Sequence, residues 1–201
     1  MIHRFSRSLI VLAPLRLVLS VTVAATAVLL SGCAGPSPHY APSIDNVELL
    51  KKSGAQPARV GAFDVAPGLP GATALSLRAN TMVSSVGGHF GDYLATALRS
   101  ELELARLYNP QSGTDVSGTL LKNNIDAGGL STNNGQIEAR FVVRRGGQVR
   151  FDKNKAIAHE WPGAFMGADA IPAAANNYPV MVRKLIAALI ADPEFINALK
   201  N

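Results

Sequence analysis

The residues best suited to chemistry are few and scattered. Beyond the N-terminal segment, histidines occur at His39, His89 and His159, and a serine pair stands at Ser84-Ser85. Asp92 or Asp115 could complete a Ser-His-acid relay. No nucleophile elbow, phosphate-binding glycine loop or HExxH motif joins these residues. Gly87-Gly88-His89-Phe90-Gly91 lacks the phosphate-loop spacing and its Lys-Ser/Thr ending, so it reads as a turn that starts a helix. The histidines do not pair at ligand spacing, so no metal is expected. His159 and Glu160 could exchange a proton only by facing one pocket, and neighbours on a strand face opposite ways. No catalytic residue is assigned and no cofactor is expected. A Ser/His hydrolase assembled by the fold is the alternative to a non-enzymatic protein.

Binding residues are easier to find. Arg140, Arg144, Arg145, Arg150, Lys153 and Lys155 crowd around Gly146-Gly147, a dipeptide that suits a tight hairpin turn. Arg144, Arg145 and Arg150 near its tip offer guanidinium forks to phosphate or carboxylate, so anionic lipids or an acidic protein surface are the expected partners. The competing reading is a solvated strand whose charges protect an edge. Trp161, Phe165 and Met166 form either an exposed apolar loop that binds lipid or protein, or the cap of a core.

Cys33 is the only cysteine among 201 residues, and its setting is specific. Arg4 and Arg7 precede an apolar run of 14 residues, Leu17 to Leu30, and small Ser31 and Gly32 come just before the thiol. That is the layout of an export signal. The run is shorter than the roughly 20 residues a membrane-spanning helix needs, and Pro14 and Arg16 block its extension backwards. Leu30-Ser31-Gly32-Cys33 resembles the lipobox of Gram-negative bacterial lipoproteins. The resemblance implies that residues 1–32 are cleaved, that Cys33 takes a diacylglycerol and further palmitate-type acylation, and that the membrane is the first partner. Ala34 stands where an Asp would signal inner-membrane retention, which favours an outer-membrane protein facing the periplasm. Two or three acyl chains anchor stably, at about 0.8 kcal/mol per buried methylene.

The charge balance then changes. Without Arg4, Arg7 and Arg16 the chain keeps a net charge of only +2, which argues against nucleic-acid binding. Acylation would use the one thiol, so the domain must be stabilised by packing and not by disulfides. With 48% hydrophobic residues it has the means.

The elements that would position these residues follow from periodicity. Residues 33–57 read as a lipid-anchored tether, with a short helix around Ile44, Val47 and Leu50 that could dock on the domain and an Asp45/Glu48 capping box. A single α+β domain, 58–201, then begins with a strand in ARVGAFDV and a weaker strand candidate in ALSLRANTMVSS. Phe90, Leu94, Ala97, Leu98, Leu102 and Ala105 predict a helix over 89–107, halted by Asn109-Pro110. Three strands come next, running to Trp161 through the Gly146-Gly147 turn. The stripe Ile171, Ala175, Tyr178, Val182, Leu185, Ile186 and Leu189 predicts a helix starting at Asp169 or Pro172 and split or kinked at Pro179. Asp192-Pro193 opens a short final helix. The expected fold is an antiparallel-rich or mixed sheet of four to five strands, with two main helices on one face. This outline on a lipobox is similar to small periplasm-facing outer-membrane lipoproteins, including auxiliary lipoproteins of ABC-type lipid transport. A tethered interaction module in envelope assembly or lipid transport is the function the resemblance implies.

Overall fold

A computed structural model describes residues 34–200. The signal segment 1–32 and Cys33 lie outside the described residues. Among the described residues two sheets and four helices alternate: β1 (Ala34–Pro36), α1 (Ile44–Lys52), β2 (Arg59–Val65), β3 (Ala74–Leu77), β4 (Asn80–Val83), α2 (Phe90–Leu104), β5 (Thr114–Asp126), β6 (Thr132–Arg145), β7 (Gln148–Pro162), α3 (Gly167–Ile190) and α4 (Pro193–Leu199). The large sheet has the order β2-β5-β6-β7 and is mixed, because β2 runs parallel to β5 while β5, β6 and β7 form an antiparallel meander. A second small sheet, β1-β4-β3, was not expected as a separate unit.

Alternation builds the core. Val116 and Leu120 on β5, Ile137, Ala139, Phe141 and Val143 on β6, and Phe151 on β7 are buried with the apolar stripes of α2 and α3. Phe63 of β2 meets Phe141 edge-on at 5.8 Å between ring centres. Gly118 makes room for that contact: a side chain there would strike Arg140 O and the Phe63 ring, each at 2.6 Å. The other face of the large sheet stays open.

Four local expectations need correction. Residues 34–57 are no free tether, since β1 pairs with β4, while α1 docks through Val47 and Leu50 as its spacing suggests. The cap of α1 is Ser43, whose side chain accepts from Asn46 N, and not Asp45. ALSLRANTMVSS is a hairpin because Arg78 takes a left-handed turn conformation at φ 59°. The helix α2 stops at Leu104 because Arg106, at φ 61°, closes a Schellman turn in which Leu107 N donates to Leu102 O at 2.7 Å.

Pro179 neither splits nor ends α3. The helix runs through Pro172 and Pro179, with Ala174 and Tyr178 buried ahead of Pro179 and Met181, Val182 and Leu185 buried beyond it. Burial on both sides outweighs the missing hydrogen bonds. α4 begins as expected, with Asp192 Oδ1 accepting from Glu194 N at 2.8 Å and Pro193 at the first position.

Candidate functional site

The Gly146-Gly147 turn is the two-residue hairpin its sequence predicts, with φ 54° and 81° and Arg145 opposite Gln148. Its arginines do not form one cluster. Arg145 lies on the helix side, donating Nε to Thr114 Oγ1 at 3.0 Å and Nη2 to the Ala198 carbonyl at 3.4 Å. Arg144 lies on the open face, where Nη1 reaches Ser117 Oγ at 3.4 Å. Arg150 is exposed, and no ion pair involves these three among the described residues.

Lys153 and Lys155 are committed elsewhere. Both reach Asp192 Oδ2, at 3.5 and 2.6 Å, and Lys153 also bonds Glu194 Oε1 at 2.7 Å. The Lys155 hydrogen bond, with the Glu194 amide and Lys153 behind it, pulls the Asp192 carboxyl down to about 2 against some desolvation. These contacts staple the α3–α4 corner to β7, an edge strand, a role that neither the binding reading nor a solvated strand face describes.

The open face carries alternating charge. Arg59 pairs with Asp115 at 3.1 Å, and Arg140 grips Asp152 through both Nε and Nη2. That bidentate bond holds the Asp152 carboxyl below its ordinary value. Arg59, Asp64, Asp115, Arg140 and Arg144 line an open groove of about 460 Å³. Its floor is low at Gly61, where a side chain would meet Asp115 Oδ1 at 2.5 Å. Its lining is charged, and its Ser117 hydroxyl meets the Arg144 guanidinium and not a base.

The remaining candidates have structural work. His89 caps α2 in a reciprocal box, its ring nitrogen accepting from Asp92 N while Asp92 Oδ2 accepts from Gly88 N and His89 N. His159 bridges Asn177 Oδ1 at 2.9 Å and Lys184 Nζ at 2.8 Å. It lies on the helix side of β7, pairing with Gly135, while Glu160 pairs with Asn134 on the opposite side. Ser84 Oγ donates to Val86 O, and Ser85 meets Ser37, so neither reaches a histidine. Among the described residues no three His, Cys, Asp or Glu side chains gather as a metal site would need.

Trp161 is buried, whereas Phe165 and Met166 are 82% and 63% exposed. The residue that organises their loop is Arg78, which sequence reading missed. Its guanidinium donates to Ala127 O at 2.7 Å, Phe165 O at 3.0 Å and Ala164 O at 2.5 Å, tying the β3–β4 turn to the β5–β6 and β7–α3 loops. No local signal marks an arginine for this role, because its partners lie 49 to 87 residues away.

No family model matches the sequence, and no curated protein matches it. Solved structures do share the fold. Protein XCC0632 from Xanthomonas campestris, of the DUF330 family, superposes with a TM-score of 0.53 at 12% identity, over 82% of this chain and 96% of its own. A structure described as a "putative lipoprotein" from Caulobacter crescentus CB15 gives 0.44 at 10% identity, over 75% and 93% of the two chains. The first likeness establishes a common α+β fold; the second is too distant to add to it.

Proposed function

We propose that this chain is a lipid-anchored envelope lipoprotein, a non-enzymatic interaction module acting in outer-membrane assembly or lipid transport. The observation that carries the reading is Leu30-Ser31-Gly32-Cys33 after an apolar run. Three further observations support it. The fold resembles that of a bacterial DUF330 protein. His89, His159, Ser84 and Ser85 are used in a cap, turns and side-chain bridges. No described helix is long and apolar enough to cross a membrane. Ala34 after the cysteine favours the outer membrane. Arg144 and Arg150, the exposed arginines of the hairpin, are the groups offered to an acidic protein or anionic lipid, while Arg145 is held by Thr114 and Ala198.

Radiolabelled palmitate, with Cys33→Ala as control, tests the anchor. Wild type should incorporate label and float with outer-membrane vesicles, and Cys33→Ala should remain an unlabelled precursor. Equal labelling of both proteins overturns the proposal.

A further inference from the structure

We infer that the β5–β6 and β7–α3 loops dock into the membrane that holds the lipid anchor, with Leu130, Phe165 and Met166 as the inserting side chains. The inference rests on the proposed acylation of Cys33. Those three residues are 65%, 82% and 63% exposed. Residues 127–131 and 162–168, which carry them, contain no charged side chain. The two loops touch along their backbones: Gly163 N donates to Ser131 O at 2.8 Å, and a side chain at Gly163 would lie 2.5 Å from Gly129 O. The three residues thus form one apolar rim and not isolated exposed positions.

The point where the chain enters the domain favours a bilayer as the occupant. Ala34, bonded directly to Cys33, already pairs with Thr81 at the start of β4. The β3–β4 turn at that end of the small sheet carries Arg78, whose side chain holds both apolar loops. With no linker between Cys33 and β1, acyl chains on Cys33 would draw this end of the domain to the bilayer surface. Amphipathic elements enter the headgroup boundary by about 5–10 Å, a depth at which unpaired backbone groups become costly. Arg78 already satisfies the carbonyls of Ala127, Ala164 and Phe165. Its left-handed backbone, uncommon for a bulky residue, is retained alongside that bonding.

The same geometry assigns the basic hairpin. β6 runs from Thr132, beside the apolar loops, to Arg145 at the hairpin. Fourteen residues at roughly 3.4 Å each place the two ends about 45 Å apart. With the rim inserted, exposed Arg144 and Arg150 stand away from the anchoring membrane.

Because acylation occupies the only native thiol, single cysteines introduced as Leu130→Cys, Phe165→Cys or Arg150→Cys can be labelled with an environment-sensitive fluorophore in the full acylated protein. The labelled proteins are bound to phosphatidylethanolamine/phosphatidylglycerol vesicles containing nitroxide-chain lipids. Probes at 130 and 165 should shift to the blue and be quenched, and the probe at 150 should not. Adding Phe165→Ser and Met166→Ser should release the probe at 130 while palmitate labelling and flotation persist. Flotation with equal, weak quenching at all three positions overturns the docking, leaves the anchor intact and assigns the rim to a protein partner. Loss of palmitate labelling and flotation overturns both.

Discussion

Glu101 is the buried group that turns the expected tether into part of the domain. It lies on α2, has no solvent exposure, and gathers three donors on Oε1: Tyr40 OH at 2.5 Å, Ser43 N at 3.0 Å and Asn46 Nδ2 at 3.2 Å. Tyr40 and Ser43 belong to the segment between β1 and α1, and Asn46 to the first turn of α1. Glu101→Ala removes the shared acceptor. Asn46 Nδ2 retains the Arg183 carbonyl at 3.3 Å, so two donors are orphaned. A buried unsatisfied donor costs about 1–3 kcal/mol. The expected loss is therefore about 2–5 kcal/mol, allowing half-buried Tyr40 to recover water. Glu101→Gln keeps an oxygen where Oε1 sits and should cost about 1 kcal/mol or less, because Oε2 has no partner to lose. Native-state hydrogen exchange reads the effect locally. At 1.4 kcal/mol per tenfold, the Ser37 and Asn46 amides should exchange about 30-fold to several thousand-fold faster in the Ala variant. Exchange within threefold of wild type, or Gln as damaging as Ala, refutes the latch. Its release would return residues 34–57 to a strap of up to roughly 80 Å and free the domain from the membrane surface.

Two further outcomes follow from the core. Burial pushes the Tyr93 and Tyr178 phenols well above the ordinary value of 10.0, and burial with the Glu101 hydrogen bond does the same for Tyr40. The folded state then holds protons that the unfolded chain releases, so stability is intact below pH 10 and falls above it, by up to about 1.4 kcal/mol per pH unit for each phenol. The urea midpoint should drop between pH 10 and 12, less steeply in Tyr40→Phe; a flat wild-type midpoint refutes this. Leu185 is fully buried on α3, so Leu185→Ala should cost about 2–5 kcal/mol in urea denaturation, and an unchanged midpoint would show that α3 is not core.

What the sequence disclosed depended on how far each signal reaches along the chain. The β5–β6–β7 meander was legible because alternation and Gly146-Gly147 act between neighbours. The same holds for α2, whose stripe and His89 start are local. The closure of α3 across Pro179 was not legible, since burial against other elements decides it. Nor was the seating of residues 34–43, because Tyr40 and Ser43 find Glu101 about 60 residues away, although the docking face of α1 was. Proline content alone made that stretch look like a strap.

The candidate site divides along the same line. Arg144 and Arg145 are adjacent, so alternation alone places them on opposite faces, and treating them as one tip cluster overlooked the rule that separates His159 from Glu160. Arg78 is the opposite case. Nothing in Leu77-Arg78-Ala79-Asn80 suggests a turn, because a bulky residue at positive φ is disfavoured unless other contacts hold it. Here three carbonyls from two distant loops do so, and those loops carry Phe165, Met166 and Leu130. The unfavourable local conformation is therefore the mark of the long-range contact. Arg78→Lys tests that link, because an ammonium cannot reproduce the planar fork across three acceptors. It should loosen the rim and weaken membrane quenching at 130 and 165, while leaving the hairpin at Arg145 unchanged.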